Sequence, residues 1–377
     1  MRFRLCALAL AAVVLAAQGG SLRAACDLDA ALEPASGSVV LVSGTVSGDP
    51  ESAGRATGRR TCANVGCFVG TDGEVLTSLL GVVGCEEITV RCPDGRAAEG
   101  SLLAIDQAAG LALLKTELAA TRPLELAEAA PGPGRLVFLV LARQEGRDVT
   151  PRFLPALVSS GDGSLRLQGV RWDGLLVADV GAPVGSAAAP VLDDEGRLAG
   201  VVLGERLRGA PAAGAEPESC VLPVGQLAGI LARLQSGESR RLGWLGVSIL
   251  DEPGDLEGVR VGAVLETSPA HAARIQPGDV LLEVGDEPLD DADAFARHVV
   301  EPGPRPGVRF RLLRRDRVEV VPVDVVPRPL IMYGAACGAS ATDSEGRLLG
   351  LAEENRLLRE RIAELELRLQ HLESAPR

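Results

Sequence analysis

The amino-acid sequence predicts a mainly β protein in three parts: a β-barrel or sandwich, a compact α+β unit, and a C-terminal helical coil. Three observations carry this reading. Between about 61 and 206, short apolar runs alternate with Gly, Pro and Asp turn signals. From about 242 to 327 a second set of short strands surrounds two helical segments. Over the last thirty or so residues, apolar positions recur at alternating spacings of three and four. A length of 377 residues suits two or three domains, and 46% apolar residues suffice to build their cores.

In chain order, Met1-Arg2-Phe3-Arg4 is a basic start followed by an apolar run from Leu5 to Ala17, too short to span a bilayer. Residues 1–24 are expected to be a secretory signal peptide. Lipid attachment at Cys26 is a minor alternative, disfavoured by Arg23. Residues 25–58, rich in Ala, Gly, Ser and Pro, read as a flexible linker, with one strand over Val39–Val46. Strands then follow at Cys67-Phe68-Val69, Ile88-Thr89-Val90, Leu136–Leu141 and Leu198–Leu203. A helix over Pro223–Leu234 closes this domain at 59–236. Export makes the cysteines candidates for disulfides. Cys62, Cys67, Cys85 and Cys92 allow three pairings, among which the sequence does not choose; Cys26, Cys220 and Cys337 have no assigned role. Their spacings are too wide for zinc pairs, so neither a metal nor a cofactor is expected.

The second unit, at 240–328, has expected strands near Gly246–Leu250, Val259–Leu265, Val280–Val284, Val308–Leu313 and Val318–Val325. Its helices start after Ser268-Pro269 and span Ala292–Val300. A linker at 329–344 leads to a coiled coil at 345–374. There Leu348, Leu351, Asn355, Leu358, Ile362, Leu365, Leu369 and Leu372 form the a/d seam. Asn355 at an a position and opposite charges at e and g favour a parallel dimer, with a trimer as the alternative. A homo-oligomer is therefore expected.

Thirty-eight basic residues against 51 acidic ones give a net charge of −13, which argues against nucleic acid as a partner. After the leader no segment is long and apolar enough to span a membrane. The three histidines are His271, His298 and His371, so the first 270 residues offer no imidazole as a base or ligand.

The stretch from Gly66 to Thr77, with Ile88-Thr89-Val90, Asp94-Gly95-Arg96, Leu111-Ala112-Leu113-Leu114-Lys115 and Asp179 to Gly200, resembles the trypsin-like domain of the HtrA family of exported serine proteases. Residues 240–328 resemble that family's PDZ domain, through Trp244-Leu245-Gly246-Val247 and Ser268-Pro269-Ala270. The resemblance implies a chymotrypsin/trypsin-like double β-barrel, then an α+β PDZ domain. The family's His, Asp and Ser positions fall at Leu80, Gly110 and Ala187, with Ser186 one residue from the nucleophile. On that ground no catalytic residue and no enzymatic activity are expected.

The PDZ resemblance implies a peptide groove formed by Trp244, Leu245, Gly246, Val247, Phe295, His298 and Val299. The expected function is a non-catalytic scaffold, chaperone or regulator that binds protein C-termini or unfolded segments in the bacterial periplasm or envelope. The rivals are an atypical serine endopeptidase with relocated or partner-supplied groups, and a purely structural coiled-coil scaffold.

Overall fold

A computed structural model describes residues 28–46, 60–118, 122–146, 148–181, 183, 186–208, 216–250 and 257–330. The signal peptide, Cys26, Cys337 and the whole heptad seam from Leu348 to Leu372 lie outside the described residues.

The chain enters through helix α1 (Leu28–Ser36), within the segment expected to be linker. Leu28, Leu32 and Ala35 share one helical face, and Leu32 and Ala35 are buried in the main core. Pro34 and the small-residue composition masked that periodicity.

Six strands follow: β1 (Val39–Val46), β2 (Arg60–Phe68), β3 (Glu74–Ser78), β4 (Glu87–Arg91), β5 (Ala97–Asp106) and β6 (Leu111–Thr116). They close as a barrel in the order β1-β2-β3-β6-β5-β4. Alternation decides the packing, because successive side chains of a strand face opposite ways. Phe68, Val75, Ala112 and Leu114 fill this barrel. Cys67, Leu76, Leu111 and Leu113 face outward into a core shared with the second barrel.

That second barrel comprises β7 (Leu136–Glu145), β8 (Asp148–Leu167), β9 (Val170–Ala178), β10 (Pro190–Leu192), β11 (Leu198–Arg208) and β12 (Glu216–Pro223). It closes in the order β10-β11-β12-β9-β8-β7. Helix α2 (Val224–Gln235) buries Leu227, Ile230, Leu231 and Leu234, and Gly237 at φ 80 ends it. Its Arg233 reaches Asp106 Oδ2 at 2.9 Å, pinning the helix to the first barrel through a carboxylate only 1% exposed.

The third sheet contains β13 (Gly243–Trp244), β14 (Val247–Leu250), β15 (Val259–Val264), β16 (Val280–Val284), β17 (Glu287–Pro288), β18 (Arg305–Arg314) and β19 (Arg317–Pro327). Its order is β13-β19-β18-β16-β15-β14, with β17 pairing β16, so β14 is an edge. Helix α3 (Pro269–Ala272) is capped by Ser268, whose Oγ accepts from the His271 N–H at 3.2 Å. Helix α4 (Ala292–Phe295) is capped by Asp291, and a π-helical turn over Ala296–Val300 continues it. Phe295, Val299, Phe310 and Leu312 occupy the core beneath.

The expected disulfides inside the Cys62–Cys92 cluster are not formed. Cys67, Cys85 and Cys92 are free thiols, as is Cys220, while Cys62 is disulfide-bonded. Cys62 and Cys67 lie an odd number of residues apart on β2, so they face opposite sides of the sheet. Burial pushes the Cys67 thiol up to about 12.

Candidate functional site

In the first barrel, a single 3-10 turn over Leu79–Gly81 follows β3 and carries Leu80. The Leu79 N–H donates to the Gly110 carbonyl at 2.8 Å, bringing this turn beside Gly110, which has φ 65. Leu80 and Gly110 thus meet at one barrel end. Ala187 stands on the turn before β10 in the second barrel. Ser186 beside it is 4% exposed, and its hydroxyl donates to the Pro183 carbonyl at 2.5 Å. Ala188 has φ 64, a conformation that L-residues rarely adopt, and its N–H donates to the Val202 carbonyl at 2.8 Å.

The clearest binding feature lies between the edge strand β14 and helix α4 with its π turn. A cavity of about 350 Å³ is lined on its apolar side by Leu245, Val247, Ile249, Phe295 and Val299. Trp244 and Gly246 complete the loop at its end. His298 is not among the lining residues; it is half-buried, and its carbonyl accepts from Arg305 at 2.6 Å.

The loop's backbone is set by hydrogen bonds behind it. The Leu245 carbonyl accepts from the Ala270 N–H at 3.0 Å, and the Gly246 carbonyl from the Leu265 N–H at 2.8 Å. A trans peptide plane points its N–H opposite to its carbonyl. The N–H groups of Gly246 and Val247 therefore face away from these partners, toward the groove. Gly246 adopts φ 78, and a Cβ there would lie 2.2 Å from the Ser268 Cβ, so glycine is required twice over. Two convergent N–H groups above an apolar pocket can hold a carboxylate and the side chain beside it.

The groove has a further wall that sequence reasoning missed. Arg166, Gln168 and Gly169, at the tip of the β8–β9 hairpin, line the same cavity, as does Arg328. Arg166 forms an ion pair with Asp293 on α4, and Arg171 approaches the same carboxylate at 3.7 Å. Among the described residues no group of three or more His, Cys, Asp or Glu side chains is placed to hold a metal.

Two closed barrels followed by this sheet and groove define the class: a trypsin-like peptidase fold joined to a PDZ domain. Family models agree, a trypsin-like peptidase domain matching residues 64–201 and a PDZ domain residues 235–297. This pair of domains, in this order, makes the chain HtrA-like. One relative is the "Probable periplasmic serine endoprotease DegP-like" of Halomonas elongata, 26% identical over 318 residues, 80% of this chain and 64% of the relative. A protein of the same description from Hahella chejuensis is 25% identical over 72% of this chain and 58% of its own length. The chain thus spans about three fifths of the length of these curated relatives. Among solved structures, the HtrA-type protease AlgW with a decapeptide superposes with a TM-score of 0.54 at 20% identity, covering 80% of this chain and 99% of that one. The serine endoprotease from Yersinia pestis gives 0.52 at 22% identity, covering 80% and 98%.

These relatives overturn the expectation of a chain without enzymatic activity, because they are named serine endoproteases. That expectation took three aligned positions of a single chain for the whole machinery. Catalytic groups can instead come from other positions or from a partner chain.

Proposed function

We propose that this HtrA-like chain captures C-terminal or unfolded polypeptide segments in its PDZ groove, as part of protein quality control in the bacterial envelope. The observation that carries the reading is the Leu245–Val247 loop, whose N–H groups face an apolar cavity beside the free edge of β14. A peptide added along that edge gains backbone pairing, while its last side chain enters between Phe295 and Val299. The basic start and apolar run of the N-terminus support export, and the word periplasmic in the names of the relatives supports the compartment. The leucine heptads of residues 348–372 support pairing of two copies, which would present two grooves together.

The test is binding of the purified chain to C-terminal peptides, each offered as free acid and as amide. Binding that requires the free carboxylate is expected; equal binding of acid and amide would remove the loop from the mechanism.

The names of the relatives favour a second reading, serine endopeptidase activity. Positions Leu80, Gly110 and Ala187 lack the hydroxyl, imidazole and carboxylate of a Ser-His-Asp set, so this activity would use relocated or partner-supplied groups. A fluorophosphonate probe reads it directly, since labelling requires an activated nucleophile.

A further inference from the structure

The PDZ groove is not built by its own domain alone, and the part supplied from outside is cationic. The β8–β9 hairpin ends in a tight two-residue turn, with Gln168 at φ 56 and Gly169 at φ 82 between the paired residues Leu167 and Val170. Two successive positive φ values are the signature of the turn that best matches strand twist, so the tip is a firm platform. It carries Arg166 on the groove wall.

The charge there runs against the whole molecule. The chain carries −13, yet the groove lining contains two arginines, Arg166 and Arg328, and neither aspartate nor glutamate. Arg328 donates from one terminal nitrogen to the Gln168 carbonyl at 2.8 Å, while its buried Nε has no hydrogen-bond partner among the described residues. The nearby Asp293 stands just outside the lining and is shared by Arg166 and Arg171. Arg171 has Asp173 as well, at 3.0 Å. One shared carboxylate cannot occupy the five N–H donors of the Arg166 guanidinium, whose side chain is 43% exposed.

Position along the groove follows from the helix. Gly243 lies against the Val299 carbonyl, so the carboxylate loop and Val299 mark one end. Ala292 and Asp293 mark the other, six to seven residues earlier and therefore about 10 Å away at 1.5 Å per residue. An extended peptide covers about 10 Å in three residues.

We propose that the groove selects C-terminal segments bearing an acidic side chain two or three residues before an apolar terminal residue, with Arg166 of the barrel domain as the specificity-determining contact. This rests on the peptide-capture reading above. The peptide's carboxylate side chain takes up the donors that Asp293 leaves open, in the two-toothed geometry a guanidinium favours. A lysine in the same place meets Arg166 and Arg328 with like charge and is rejected.

The experiment uses the full chain and fluorescence anisotropy. Matched peptides with one apolar terminal residue carry Glu, Gln or Lys three residues before it, each as free acid and amide. For the free acids, Glu should bind about three- to tenfold tighter than Gln, and Gln tighter than Lys, with the differences shrinking at high salt. R166Q should erase the Glu preference while the free acid still outbinds the amide. D293N, which releases Arg166 from its partner, should enlarge the Glu preference and provides a second reading should R166Q fail to fold. Equal binding of Glu and Gln peptides, with acid-over-amide preference intact, would overturn acidic selection and leave the capture reading standing. Loss of the acid-over-amide preference would instead overturn the capture reading itself. A Glu preference that survives in R166Q, or fails to grow in D293N, would remove Arg166 from the role.

Discussion

Gln107 is fully buried between the first barrel and the root of the PDZ domain. Its Oε1 accepts from the Leu242 N–H at 2.8 Å, and its Nε2 donates to the Arg328 carbonyl at 3.1 Å. One side chain thereby holds both the entry and the exit of the domain. Its backbone N–H donates to the Arg240 carbonyl at 3.0 Å, placing the linker against β5. Replacing Gln107 by Ala strips partners from two backbone groups, at about 1–3 kcal/mol for each group left buried and unsatisfied. Water entering the vacated space recovers part of this, leaving about 2–4 kcal/mol. The loss falls on the docking of the domain, since the two stripped groups, at Leu242 and Arg328, stand at its entry and exit. Hydrogen exchange reads it: protection of the Leu242 amide should fall by about 30- to 700-fold, at 1.4 kcal/mol per factor of ten, while that of Leu76 and Val201 stays unchanged. Gln107→Glu keeps the acceptor for Leu242 but sets a buried carboxylate against the Arg328 carbonyl, and should lower protection at least as far as Gln107→Ala. Unchanged Leu242 protection in Gln107→Ala would refute the clamp, as would an equal loss in both barrels.

Three further outcomes follow from the same structure. Gly246→Ala forces an L-residue into the left-handed region at about 1–2 kcal/mol and drives a methyl into Ser268, so peptide affinity measured by anisotropy should fall at least about tenfold while the barrels melt unchanged. Asp279 is 2% exposed and accepts from Arg314 at 2.9 and 2.6 Å and from the Gln276 N–H at 2.8 Å. Asp279→Ala should cost about 1–3 kcal/mol by taking the two-toothed carboxylate from Arg314, which keeps Glu319 at 3.1 Å, and is seen as selective proteolysis of the PDZ domain. The Cys67 thiol, held at about 12 by burial, stays protonated in the folded chain after the unfolded chain has begun to ionise near the ordinary thiol value of 9.0. The unfolded state then binds fewer protons, so stability is intact below pH 9 and falls as pH rises toward 12, by at most about 1.4 kcal/mol per pH unit. Denaturant titrations from pH 8 to 11 should show this slope in the native chain and a smaller one in Cys67→Val.

Local pattern made much of this molecule legible, and the exceptions share one physical cause. Strand β1 over Val39–Val46 and the turn-bounded strands of both barrels announce themselves by apolar runs between Gly and Asp. Ser268-Pro269 marks the start of α3, and the expected span Ala292–Val300 is the one that α4 and its π turn occupy. The Trp244–Val247 loop is implied by the resemblance to a PDZ domain rather than by any periodicity, and Gly246 within it has φ 78. Strand β8, twenty residues long, was not, since Pro151, Pro155, Gly161 and Gly163 interrupt any alternation and its pairing with β9 shifts register repeatedly. Its length is nonetheless what carries Arg166 out of the barrel and onto the groove. Arg166 and Asp293 belong to different domains, and neither residue's neighbours in sequence hint at the other. A binding surface completed by a second domain leaves no periodicity, cap or spacing to be read. The same reasoning bears on catalysis: positions such as Leu80 and Ala187 describe one loop each, whereas a reacting centre, like this groove, is defined by everything the fold brings up to it.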